Sequence, residues 1–137
     1  MFYLSSPVTD PNAIKDLNKE YYLRRNERIA KKLEDDGIVI YLPQRDTDQT
    51  MPPKQIFLQN IKAIQKSEGL IIVLSDSRGI YMEAGFARAL DKKIVGLKVD
   101  ETQTIGRMVR NFLDNIVDST DELVLLLKNI NSISEQQ

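Results

Sequence analysis

The 137-residue chain contains no cysteine, no histidine and no tryptophan. Without histidine or cysteine it cannot build a Ser-His or Cys-His nucleophile, nor a zinc site of imidazole or thiolate ligands. Any chemistry falls to carboxylates, tyrosine, lysine, arginine or hydroxyl groups, and no metal or other cofactor is expected. Charge of one sign is also lacking: the formal net charge is -1, which gives no field to draw nucleic acid or anionic lipid. No apolar run approaches the roughly 20 residues of a membrane-spanning helix. The start "MFYLSSPV" has neither the basic region nor the apolar length of a secretory signal. The absence of cysteine says nothing about redox compartment, so a cytoplasmic location is the default expectation.

What is present is ordinary for a globular protein, with 42% hydrophobic and 28% charged residues. The length fits one domain, residues 1–137, able to bury a core without metals or crosslinks. "FYLS" (Phe2 to Ser5) reads as a buried strand stopped by Ser6 and Pro7. Asp10-Pro11 opens a helical pattern through Ile14, Leu17, Tyr21, Ile29 and Leu33 up to Gly37. "IVIYL" (Ile38 to Leu42) is a second strand, and the Pro-bounded polar segment Pro43 to Pro53 a loop. A helix carrying Ile56, Ile61 and Ile64 follows. "GLIIVLS" (Gly69 to Ser75) is apolar throughout, hence a strand covered on both faces. A helix from about Ile80 to Leu90, the strand "KIVGLKV", a helical stretch from Ile105 to Leu113, a short strand at Ile116-Val117 and a last helix from Asp121 complete the pattern.

Strands alternating with helices imply a parallel sheet with helices on both faces. Ligands of such sheets bind beyond the carboxyl ends of the strands, near the point where strand order reverses. That rule selects the loops Ser5 to Thr9, Pro43 to Pro53, Ser75 to Gly79 and Lys98 to Thr104.

The third of these loops leads to Glu83, one turn into a helix and on the same stripe as Phe86, Ala87 and Leu90. Two readings of this carboxylate stand side by side. It is a first-turn glutamate favoured by the helix dipole and facing solvent, or a carboxylate kept ionised in a dry place by the free N–H groups of the helix start, and so a nucleophile. The small residues Ala84, Gly85, Ala87 and Ala89 let the helix approach the sheet or another chain.

The pattern "SRGIYMEAGFARALDKKIV", together with "FYLSSP", "LPQRDTDQ" and "IFLQNIKAIQKSEGLIIVL" in that order, resembles the nucleoside 2-deoxyribosyltransferase family and its relatives, the deoxynucleoside 5'-monophosphate N-glycosidases. The resemblance spans most of residues 2 to 112. It implies an α/β fold, a single flavodoxin-like three-layer domain with a parallel sheet of about five strands. It also implies that Glu83 attacks the anomeric carbon to form a covalent sugar-enzyme intermediate, held by Tyr3. The chemistry is consistent on its own terms: cleavage of an N-glycosidic bond passes through an oxocarbenium-like state that a nearby carboxylate stabilises and traps, with no metal required.

Around these two positions, Ser5 and Ser6 end the first strand where a substrate would lie, although Ser before Pro is also turn chemistry. Gln44, Arg45, Asp46 and Gln49 offer mixed polar groups to a base edge, or form a solvated loop. Asp76, Ser77 and Gly79 line the helix start. Ser77 matches the phosphate-contacting serine of the monophosphate glycosidases, where the transferases carry an Asp for the sugar 5'-hydroxyl, and it is equally a helix N-cap. The arginine those glycosidases use would fall near Thr9, and Asp76 would repel a phosphate, so the balance favours free nucleosides. Asn60 occupies the position of an Asp that handles the proton of the leaving base, and an amide cannot be a general acid. Met108 and Asn111 resemble the segment that family members lend to a neighbouring subunit's site, or belong to an ordinary amphipathic helix. The expectation is an enzyme acting on a small nucleoside or nucleotide, with no nucleic-acid or membrane partner, assembled as a homodimer or higher homo-oligomer. The alternatives are a monophosphate N-glycosidase or a non-catalytic nucleotide-binding module.

Overall fold

The computed structural model describes residues 1–8, 19–100, 102 and 104–136. Strands run over Phe2–Ser5 (β1), Ile40–Tyr41 (β2), Gly69–Val73 (β3), Lys93–Leu97 (β4) and Asn115–Val117 (β5). Helices run over Lys19–Asp35 (α1), Pro43–Asp46 (α2), Pro53–Lys66 (α3), Arg78–Ala89 (α4), Arg107–Phe112 (α5) and Thr120–Gln136 (α6). The five strands form one sheet in the order β2-β1-β3-β4-β5, with every neighbouring pair parallel. This is the flavodoxin-like order, whose reversal point lies between β1 and β3.

Side chains alternate across the sheet, and that period sorts the core into two halves. Phe2 and Leu4 of β1, with Ile71 and Val73 of β3, pack against Ile29 and Leu33 of α1 and Leu123 and Leu127 of α6. Tyr3 of β1, with Leu70 and Ile72 of β3, packs on the other face against Ile64 of α3 and Ile80, Ala84 and Ala87 of α4. All of β1 and β3 is buried, as the unbroken apolar runs require. Tyr3 and Ser5 therefore share the face covered by α3 and α4.

The structure departs from the sequence reading in three places. The second strand pairs only over Ile40–Tyr41. The start of the expected loop is a single helical turn, α2: Pro43 brings a φ suited to the first helical position, and Asp46 accepts the Leu42 N–H at 2.8 Å. Tyr21, expected on the apolar stripe of α1, is 50% exposed and meets Tyr22 edge to face. The expected helix start at Asp10-Pro11, with Ile14 and Leu17, lies outside the described residues. Gly37 does end the α1 turn in the left-handed region (φ 87), with Ile38 N–H donating to the Leu33 carbonyl at 3.0 Å.

Candidate active site

Beyond the carboxyl ends of β1 and β3 the sheet opens into a cavity of about 650 Å³, a size suited to a small organic ligand. Helix α4 starts at its rim, with Ser77 in extended conformation at the N-cap position and no side-chain cap bond. One turn further, Glu83 faces β1 because Ile80, Ala84 and Ala87 hold that side of α4 against the sheet. The hydroxyl of Tyr3 donates to Glu83 Oε2, and Ser5 Oγ donates to Oε1 at 2.8 Å. Two residues of one strand, spaced by the period of the pleat, thus take one oxygen each.

Burial raises the Glu83 carboxyl above its ordinary range, and the bonds from Tyr3 and Ser5 pull it part of the way back. The Tyr3 phenol is pushed far up, by burial first and then by the charge of Glu83. It therefore remains a donor at every working pH. Its ring stacks on Tyr41, 5.6 Å between centroids and 13° between planes; the two residues are partners in the β1–β2 register. The Tyr41 hydroxyl lies 2.5 Å from Thr47 Oγ1, which donates to Asn60 Oδ1 at 2.6 Å.

Of the residues singled out from sequence, Tyr3, Ser6, Gln44, Gln49, Asn60, Ser77, Gly79 and Glu83 line this cavity, and Ser5 touches it through Glu83. Gln44 and Gln49 spend amide donors on the carbonyls of Leu23 and Pro43, both at 2.9 Å. A Cβ at Gly79 or Gly85 would meet nothing within 4 Å, so neither glycine is needed for close packing within this chain, and of the two roles read for the small residue Gly85 the approach to the sheet does not apply.

Other expected residues are placed elsewhere. Arg45 pairs with Glu34 at 2.8 Å and with Asp46 at 2.9 Å, and reaches the Ile40 carbonyl at 3.1 Å. These two residues brace α2 against α1 instead of lining the cavity. Asp76 lines a separate hollow of about 170 Å³ with Ser75, Tyr81 and Thr102, where its charge adds to burial in raising the Tyr81 phenol. Met108 is 73% exposed beside an apolar hollow with Tyr81, Ala84 and Phe112. Asn111 donates to the Arg107 carbonyl of its own helix at 2.8 Å. Neither α5 residue lines the Glu83 cavity. Thr9, where the glycosidase arginine would fall, lies outside the described residues.

The sequence reading missed Lys19, Tyr41 and Thr47. Lys19 lines the cavity, and nothing in the local pattern marks it. Tyr41 ends the second strand, and its pairing with Tyr3 follows from sheet order. Thr47 lies inside the "LPQRDTDQ" segment already singled out.

Among the described residues no group of acidic side chains is arranged to hold a metal ion, and no helix is long and apolar enough to cross a membrane. Several solved structures share the fold. A 2-deoxyribosyltransferase from the psychrotolerant bacterium Bacillus psychrosaccharolyticus superposes with a TM-score of 0.73 at 16% identity, over 90% of this chain and 89% of that one. A CMP N-glycosidase of Clostridium botulinum gives 0.60 at 22% identity, over 94% and 98%. A 2-deoxyribosyltransferase of Leishmania mexicana gives 0.51 at 24%, over 72% and 64%. No curated protein matches the sequence. The family described as nucleoside 2-deoxyribosyltransferase matches residues 15–125, a span that holds α3, the β3–α4 turn and Glu83. The chain belongs to the nucleoside 2-deoxyribosyltransferase family.

Proposed function

We propose that this protein breaks the N-glycosidic bond of a deoxynucleoside through a covalent glycosyl-Glu83 intermediate and passes the sugar to a second base. The observation that carries this reading is a half-buried carboxylate at the rim of a cavity, gripped by two hydroxyl donors. Each carboxylate oxygen has two acceptor directions, so one bond per oxygen fixes the group without using up its lone pairs. Its partial burial leaves fewer waters to blunt a nucleophile, and a substrate filling the cavity would displace those that remain. Two displacements at the anomeric carbon, by Glu83 and then by the incoming base, retain its configuration.

The test is product analysis with a deoxynucleoside and a different free base. Transfer yields the exchanged nucleoside, hydrolysis yields free sugar, and a binding module yields neither. Intact-mass measurement during turnover should show one sugar mass on the chain and none on Glu83→Gln. Exchange without any adduct on rapid quenching would remove the covalent mechanism.

A second reading, hydrolysis of a deoxynucleoside 5'-monophosphate, is favoured by one specific arrangement. Lys19, Ser77 and the start of α4 share the cavity wall, whereas Asp76 belongs to a different hollow. A cation and free helix N–H groups suit a phosphate, and the carboxylate that would repel it is off the cavity.

We further propose a homodimer. Met82 and Met108 are 75% and 73% exposed on α4 and α5, apolar surface that a second copy would cover. Sedimentation of a fully active monomer at assay concentration would remove this idea.

A further inference from the structure

Asn60 stands at the cavity wall on α3, and an amide has no proton to give a departing base. What it offers instead depends on which end faces the cavity. Oδ1 is already used, accepting from Thr47 Oγ1 at 2.6 Å. That bond consumes the one Thr47 proton, so Thr47 receives the Tyr41 hydroxyl 2.5 Å away as an acceptor. The Tyr41 ring is itself held by its stack on Tyr3. The Tyr41 and Thr47 hydroxyls thus point their protons toward Asn60, and Nδ2 is left with no hydrogen-bond partner among the described residues.

Resting on the glycosyl-transfer reading, we propose that Thr47 is a positioning residue that fixes the Asn60 amide as a donor toward the cavity, selecting leaving bases that present an acceptor and depart as anions. The acceptor is a keto oxygen or an unprotonated ring nitrogen. As a Glu83 oxygen bonds to the anomeric carbon, the carbon–nitrogen bond breaks and its electron pair goes to the base. The resulting anion is held by the hydrogen bond from Asn60 Nδ2. Its proton arrives afterwards, from solvent or from the N–H of the incoming base, whose nitrogen displaces Glu83 as a carboxylate.

The experiment compares Thr47→Val, which keeps shape and loses the hydroxyl, with Thr47→Ser, which keeps the hydroxyl and loses the methyl. Substrates are the 5-fluoro, unsubstituted and 5-methyl 2'-deoxyuridines, whose bases differ in acidity but not in shape near the bond. In the wild type kcat should fall steeply as the base becomes less acidic, approaching roughly tenfold per pKa unit if the departing nitrogen carries nearly full charge. Asn60→Asp, which can carry a proton, should flatten that slope. Thr47→Val should lower kcat/KM about tenfold, equivalent to about 1.4 kcal/mol, and Thr47→Ser should retain most of it. A flat series in the wild type, or loss in Ser with none in Val, overturns the proposal. If no substrate turns over, the transfer reading has failed. Calorimetric binding of the same nucleosides then still reads the amide: weaker binding by about tenfold in Val alone supports the assignment, and equal affinities overturn it.

Discussion

Ser5 and Glu83, one at the end of β1 and the other in the second turn of α4, meet through a hydrogen bond of 2.8 Å. With the Tyr3 hydroxyl on the other oxygen, this bond fixes the carboxylate toward the cavity, and it makes Glu83 the position where substitution separates activity from folding. Glu83→Gln should lower kcat/KM by at least about a thousandfold, roughly 4 kcal/mol of barrier, while circular dichroism and the cooperative melt persist. Retention of a tenth of the wild-type rate would exclude Glu83 as nucleophile.

The same contacts set a pH dependence. In the proposed mechanism only the ionised carboxylate attacks, and burial raises its pKa. The acid limb of kcat/KM should therefore lie above the ordinary carboxylate range. Tyr3→Phe and Ser5→Ala each remove a bond that lowers that pKa, so both should move the limb to higher pH as well as reduce the plateau. Rate profiles of the three proteins check this, and a limb that moves down in either variant contradicts the assignment.

Stability should respond with the opposite sign to activity. A carboxyl whose folded pKa is raised favours folding while protonated, and that contribution is lost as pH rises from its unfolded value through its folded one. Above that window the wild type carries a half-buried charge that Glu83→Gln lacks. The variant should be more stable at pH 8 by about 1 kcal/mol, a trade-off common at active sites, and the advantage should shrink toward pH 4. Equal melting temperatures at pH 8 would count against a desolvated carboxylate.

The alternation of strands and helices and the parallel sheet were legible in the sequence because they rest on strong signals, the apolar runs at Phe2–Ser5 and Gly69–Val73 and the crossovers between them; the order of the strands and the division of the core between two faces came only with the structure. Glu83 was legible as a carboxylate on an apolar stripe and gained a role from resemblance. The Tyr41–Thr47–Asn60 connection was not legible, because it depends on β2 lying beside β1 and on a turn of helix at Pro43–Asp46 that polar composition disguised as a loop. Arg45 and Asp46 looked like base-reading groups for the same reason. Nothing local reveals that Glu34 on α1 faces Arg45.

Two glycines separate close packing from open space. A Cβ at Gly69 would lie 2.6 Å from the Lys93 carbonyl oxygen and 3.2 Å from Phe2 Cε1, both held in the sheet. Gly69→Ala should cost about 2 kcal/mol, on the order of 6 °C for a chain of this size. Gly85→Ala, in a helix and with nothing within 4 Å, should instead stabilise by about 0.5–1 kcal/mol. Thermal melts of the pair decide it, and a neutral Gly69→Ala would mean that β3 and β4 separate more easily than their register implies.

On the proposed reading, charge at the cavity wall should decide the 5' end of the substrate. From sequence, Asp76 next to Ser77 weighed against a phosphate, since a carboxylate beside a dianion is costly without a cation. In the structure Asp76 lines the Tyr81 hollow, and Lys19 lines the Glu83 cavity together with Ser77 and Gly79. The repulsive group is off the wall and an attractive one is on it, which is what supports the second reading, a 5'-monophosphate. A deoxynucleoside 5'-monophosphate should have a kcat/KM at least equal to that of its nucleoside, and the ratio should fall as salt screens Lys19. Lys19→Met should lower kcat/KM for the monophosphate about tenfold, roughly 1.4 kcal/mol, and for the nucleoside by much less. Ser77→Asp, which places a carboxylate at the start of α4, should reverse the preference. A wild-type preference for the nucleoside by more than about tenfold, unchanged by Lys19→Met, would show that the cation points its charge elsewhere and that the cavity was built for a free 5'-hydroxyl.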